Sequence, residues 1–158
     1  MGNRITKNSI QNLSISKTSS DITAHFLTTL ILLLIVYLKT NNLSYVMLVI
    51  GGGFLVDLDH LVDHFIYFKR RFILRDFLTC SALKSGRVYL FLHSWEIVFA
   101  ILIVGLALDN KDLQLLALSL AVHLAIDNAQ RKNPLFYFLS YRIIKKFEVP
   151  VLLTENIA

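Results

Sequence analysis

The sequence predicts an all-α fold: a polytopic membrane protein built as a four-span antiparallel helix bundle, with both termini cytoplasmic. Three observations carry this expectation. Apolar residues make up 55% of the 158 and charged residues 17%, where a soluble domain has about 45–50% and 25%. The apolar excess is gathered into four blocks. Fourteen of the sixteen Lys and Arg fall in segments that such a bundle places on one side. Six Gly, two Pro and one Cys exclude collagen-like and disulfide-rich classes, and the high hydrophobicity excludes a disordered chain. Cys80 stands alone, so no internal disulfide is available and nothing requires an oxidising compartment.

In chain order, residues 1–20 are rich in Ser, Thr and Asn without apolar periodicity and read as a mobile tail. Residues 21–130 read as the membrane domain. The first block, Phe26 to Leu38, reaches spanning length with its flanks; a span needs roughly 20 apolar residues. The second runs from Leu43 through Val56 and on into Asp57-Leu58-Asp59-His60-Leu61. The third runs from Val88 to Leu108, interrupted by His93, Ser94 and Glu96. The fourth runs from Leu113 to Ile126, with Ser119 and His123 inside it. Four buried helices of a soluble protein are the competing reading, and the first and third blocks argue against it because they have almost no polar outer face. The short connections Thr40 to Asn42 and Asp109 to Asp112 favour antiparallel neighbours. Residues 131–158 read as a basic-aromatic segment lying on the membrane surface, as does the stretch from Phe65 to Leu78.

Orientation follows from charge. The N-terminal tail, the loop between spans two and three and the C-terminal tail hold fourteen basic residues; the opposite side holds Lys39 and Lys111. Basic loops stay in the cytoplasm, which predicts a multi-pass protein of the inner membrane in contact with anionic lipid headgroups. The net charge of +5 and the basic-aromatic segments also suit nucleic acid, but the flanking spans argue against it.

All five histidines lie at the end of a span or within one, and on the same side. His25 opens the first. Asp57, Asp59, His60, Asp63 and His64 close the second. His93 and Glu96 lie near the start of the third, and His123 and Asp127 close the fourth. A charge at membrane depth costs about 2.5–3.5 kcal/mol, so these groups need partners, and a shared divalent metal supplies one. Asp57, His60 and His64 stand at i, i+3 and i+7, and His123 and Asp127 at i and i+4, each set on one helical face. Imidazole with carboxylate suits zinc, manganese or iron.

With His25, Asp57-Leu-Asp-His60 after a Gly-rich helix end, His93-Ser94 and His123-x-x-x-Asp127 in this order, the chain resembles the small bacterial inner-membrane metal-dependent hydrolases. Those are in turn similar to the zinc-dependent phospholipase C and nuclease superfamily. The resemblance spans His25 to Asp127. It implies that His25, Asp57, Asp59, His60, His93, His123 and Asp127 are the metal-cluster residues, with zinc the first candidate. Two positions depart from the family pattern: Val56 stands where Pro often precedes the first Asp, and Phe91-Leu92 precede His93 where a His-Arg pair often lies nearby.

Such a site implies hydrolysis of a phosphoester in a lipid or lipid-linked substrate at the cytoplasmic face. Asp57, Asp59 and Glu96 are the candidate bases, and Arg70, Arg71, Arg87 and Arg131 the candidate phosphate contacts. Ser94 beside His93 makes no nucleophile–base pair, because adjacent helical residues do not face each other. Gly51–Gly53 lacks the Lys-Ser/Thr of a phosphate loop and reads as close helix packing. Two alternatives lack catalysis. A metal carrier needs polar groups through the full depth, which the outer halves of the spans lack. A structural role uses the polar cluster only to hold helices together.

Overall fold

The computed structural model describes residues 7–69, 71–72, 74, 87–129 and 133–148. These are helical throughout apart from turns and connecting loops: α1 (Lys7–Thr40), α2 (Leu43–Gly53), a 3-10 turn (Leu55–Leu58), α3 (Asp59–Tyr67), α4 (Trp95–Ala107), α5 (Lys111–Ala129) and α6 (Leu139–Ile144). Among the described residues there is no strand, only one antiparallel bridge between Arg87 and Glu148.

Helix α1 is longer than the sequence predicts. It begins at Lys7, within the stretch expected to be a tail, and no Gly or Pro interrupts it. It ends where Asn41 adopts φ 48°, a left-handed position that Asn tolerates after a helix. Asn42 then caps α2, its side chain accepting from the Ser44 N–H at 2.9 Å. At the second hairpin Asp109 takes φ 46° and the Asn110 side chain accepts from the Leu113 N–H at 3.1 Å. The two short connections thus turn the chain through residues with the chemistry to do so.

Two expectations are corrected. The second apolar block is not one continuous helix: three consecutive glycines weaken it, and it breaks at Phe54 into a 3-10 turn before α3. Asp57, His60 and His64 therefore do not share one α-helical face. The third block is helical only from Trp95, because residues 88–94 are held in an irregular loop. At 13 residues, α4 is about 20 Å long, short of a hydrocarbon core of about 30 Å. Among the described residues, two stretches are long and apolar enough to cross a membrane, Thr23–Thr40 and Leu43–Tyr67.

Helix α2 packs between α1 and α5, α1 also touches α5, and α4 lies along α5. Glycine permits the close approaches. A Cβ on Gly53 would stand 2.6 Å from the Thr29 side chain of α1, and one on Gly52 2.6 Å from Ser119 of α5. The Ser119 hydroxyl also donates to the Val49 carbonyl at 2.9 Å. Gly53→Ala is therefore expected to cost about 1–3 kcal/mol by overpacking. Gly51→Ala, which meets nothing within 4 Å, is expected to be neutral or slightly stabilising. Thermal unfolding of the two variants in detergent compares them directly, and equal melting temperatures would refute the packing role.

The apolar core gathers at one end of the bundle, where Val56, Val88, Leu90, Val98, Leu120 and Leu124 meet Phe136 and Tyr137. Elsewhere many apolar side chains face outward. Only 11% of the Thr23–Thr40 stretch is buried, with Ile31, Leu34 and Leu38 exposed. The core helix of a soluble domain would bury such residues.

The C-terminal segment departs from a purely interfacial role. Leu135, Ile143 and Ile144 are exposed as an interfacial segment requires, but Phe136, Tyr137 and Arg142 are buried. Its backbone grips the loop before α4: Val88 N–H donates to Phe147 O and Trp95 N–H to Tyr137 O, both at 3.0 Å.

Candidate metal centre

Five side chains from four separate segments converge at the end of the bundle that holds the core. His25 comes from α1, Asp57 from the 3-10 turn, His93 from the loop before α4, and His123 and Asp127 from α5. His123 and Asp127 face the same way because they stand one helical turn apart. The break after α2 turns Asp57 toward them.

His93 Nε2 and His123 Nε2 are each 3.4 Å from Asp57 Oδ1. They stand 3.8 and 3.4 Å from Asp127 Oδ2. Both imidazole nitrogens are buried and neither makes a hydrogen bond. Separations of 3.4 Å and more are long for hydrogen bonds. The three separations of 3.4 Å match adjacent donors around a tetrahedral ion with bonds of about 2.0–2.1 Å, which stand about 3.3–3.4 Å apart. Buried donors facing one another without bonding are costly unless something lies between them, and a cation shared by Asp57, His93 and His123 satisfies both Nε2 atoms. The donor set of two imidazoles and two carboxylates fits a divalent metal. Asp57, His93 and His123 are near enough to share an ion, and so are His25, His123 and Asp127.

The histidines are oriented for this from behind. His123 Nδ1 donates to the Gly53 carbonyl at 3.0 Å. A carbonyl can only accept, so Nδ1 carries the proton and Nε2 presents its lone pair. His93 Nδ1 faces Asp59 Oδ2 at 3.4 Å, and the same oxygen accepts from the Leu92 and His93 N–H groups at 2.6 and 3.3 Å. Asp59, grouped above with the metal ligands and the candidate bases, is thereby placed behind His93. Asp59→Ala is expected to weaken metal binding about 10–100-fold without abolishing it. Titration of the purified variant with a divalent metal measures this; unchanged affinity would refute the orienting role.

His25 Nε2 lies 2.9 Å from Asp127 Oδ1, and its ring stacks on that of His123 at 4.2 Å. The ring of His60 lies 4.8 Å from that of His93, but His60 is in neither group of donors that can share an ion among the described residues. His64 is buried among Phe65, Phe68 and Phe72. Asp63 turns to the loop, accepting the Tyr89 N–H on both oxygens at 3.1 and 3.0 Å.

Glu96, expected as a candidate base, is engaged elsewhere. Its carboxylate accepts from Leu139 N–H and Ser140 N–H at 2.9 Å each and from the Ser140 hydroxyl at 2.7 Å. It thus serves the free N–H groups that begin α6. Of the candidate phosphate contacts, Arg71 and Arg87 are exposed, and the Arg87 backbone pairs with that of Glu148 in the antiparallel bridge. Arg70 and Arg131 lie outside the described residues.

Arg142 was counted in the sequence only as one basic residue among the five of its tail. It is fully buried. Its guanidinium donates to the carbonyls of Tyr89, Leu90 and His93 at 2.7–2.9 Å and to the Ser94 hydroxyl at 2.7 Å. Burial pulls its pKa below the usual arginine value, while Asp59 and Glu96 act in the opposite direction. The available signal was its setting, a lone Arg between Tyr141 and Ile143-Ile144 in a short apolar stretch, since Arg is seldom buried without partners.

The site opens at Asp57, whose side chain is 45% exposed, whereas those of His93 and His123 are sealed at 0% and 1%. Comparison with known proteins finds no matching family model, no matching curated protein and no matching solved structure.

Proposed function

We propose that this chain is a membrane-embedded, metal-dependent hydrolase that acts at the cytoplasmic face on a phosphoester of a lipid or lipid-linked substrate. The observation that carries the reading is the pair of buried, unbonded Nε2 atoms of His93 and His123, which face two carboxylates and are open on one side at Asp57. The resemblance in motif order supports the same reaction class. A divalent metal held there, zinc before manganese or iron, would supply an activated water and a Lewis acid for a phosphoester.

The chain's own residues divide the remaining work. Asp57, His93 and His123 would hold the metal, with Asp127 and His25 forming a second group around His123. The Gly53 carbonyl fixes the His123 tautomer, Asp59 holds the backbone at His93, and His25 steadies Asp127. Of the three candidate bases, Asp59 and Glu96 are occupied by backbone N–H groups, which leaves Asp57. Its Oδ1 faces the histidines, and Oδ2 is the atom assigned to take the proton. The substrate phosphate enters past Asp57, with Arg71 and Arg87 as exposed cations for its charge.

The membrane placement belongs to the same proposal. The outward apolar faces of α1, α2 and α4 meet lipid, the α4–α5 hairpin enters the bilayer with the apolar residues before α4 extending its reach, and both termini lie on the cytoplasmic side with the basic loops. Metal binding without catalysis is the second reading, favoured by the engagement of Asp59, Asp63 and Glu96 with backbone N–H groups. Purified full-length protein, reconstituted with zinc, manganese or iron, is offered phospholipid, a polyprenyl phosphate and a generic phosphodiester. Metal-dependent release of phosphate or headgroup that is lost in Asp57→Asn supports the hydrolase. Stoichiometric metal without turnover of any of the three supports the second reading.

A further inference from the structure

Of the side chains in the cluster, His93 is the one carried by non-helical chain. Its position therefore depends on whatever immobilises residues 88–94. That loop would not keep its shape unaided: Leu90 has φ 40°, a left-handed conformation unfavourable for a residue with a Cβ. Its backbone polar groups end on three side chains from elsewhere. Asp59 and Asp63 take the N–H groups of Leu92, His93 and Tyr89. Arg142 takes the carbonyls of Tyr89, Leu90 and His93 and the hydroxyl of Ser94.

We infer that Arg142 is the positioning residue for His93, so that metal affinity is set in part by the C-terminal segment 49 residues further along the chain. Only a guanidinium fits this role. Four acceptors converge on Nη1 and Nη2 of one planar fork, a geometry that the single ammonium of Lys cannot reproduce. The fork fixes the His93 carbonyl on one side while Asp59 fixes its N–H and ring on the other. The residue is thus held at both its backbone N–H and its carbonyl, and its Nε2 faces Asp57 and Asp127.

The inference rests on the metal reading only for one of its two readouts. Full-length Arg142→Lys, Ser94→Ala and Gln114→Ala are purified in detergent beside wild type. Gln114 bonds the Gly105 carbonyl at the opposite end of α5, so its variant controls for stability alone. The first readout is Co2+ binding followed by its visible absorption, which reports ligand geometry. The second is amide hydrogen exchange over residues 88–95. Arg142→Lys is expected to bind Co2+ at least about tenfold more weakly with an altered spectrum, in line with other residues that orient a ligand. Exchange should quicken in the loop while α5 stays protected, and Ser94→Ala should show a smaller change in the same direction. Wild-type affinity, spectrum and exchange in a folded Arg142→Lys would overturn the inference. So would a loss of affinity no greater than that of Gln114→Ala. If wild type binds no Co2+, the metal reading fails by itself and exchange alone decides: quickening confined to 88–95 upholds Arg142 as the residue that positions His93, and its absence rejects it.

Discussion

His93→Ala and His123→Ala are each expected to strip the purified protein of its metal, whereas His64→Ala retains it. Each of the first two removes a buried Nε2 that faces both Asp57 and Asp127. The group of Asp57, His93 and His123 would then keep only two of its three donors. The loss should exceed the roughly 10–100-fold expected for an orienting residue such as Asp59. His64 is the matched control, being a buried histidine of the same region that packs among phenylalanines. Elemental mass spectrometry of wild type and the three variants makes the comparison. Wild type that holds no zinc, manganese or iron after reconstitution would end the metal reading. Equal metal in all four proteins would place the ion elsewhere.

Arg142→Ala is expected to lower stability by about 3–5 kcal/mol, the range for removing one partner of a buried charged network. Three carbonyls and a hydroxyl lose their donor together, and Asp59 and Asp63 lose the nearby cation that offsets them. For a chain of this size 1 kcal/mol moves the melting temperature by about 2–4 °C, so a fall on the order of 10 °C should be seen in detergent. Lys146→Ala, an exposed change a few residues away, is expected to stay within about 0.5 kcal/mol. Similar melting temperatures for the two variants would show that the buried guanidinium contributes little.

Together these variants separate two roles that basic residues play in this chain. Exposed lysines such as Lys146 meet solvent, and exchange for another cation there is expected to cost little. Arg142 is part of the tertiary structure, and its charge is committed to backbone carbonyls. The basic tail that the sequence presents as one class of residue thus splits by burial into two.

The polar cluster was legible in the sequence because depth along a helix is linear in residue number. Residues rise about 1.5 Å each, so His25, Asp57, His93, His123 and Asp127 are placed at one end once the helices and their short connections are known. Apolar blocks without internal breakers likewise announced α1 and α5, and the glycine run announced close packing, which Gly52 and Gly53 provide.

Depth does not determine direction. Asp59 and Asp57 are two residues apart and alike in type, yet one faces the cluster and the other turns behind His93 to collect backbone N–H groups. Glu96 looks the same in sequence whether it is a base or the partner of a distant helix start. Residues 88–94 have the composition of a span, but Asp59, Asp63 and Arg142 reach them from other segments and fix them as a loop. What the sequence determined by itself was helical content and the end of the bundle at which polar groups collect, since both follow from local periodicity. Which of those groups meet around one point was left to the tertiary structure. That choice depends on hydrogen bonds between residues tens of positions apart, and local pattern carries no record of them.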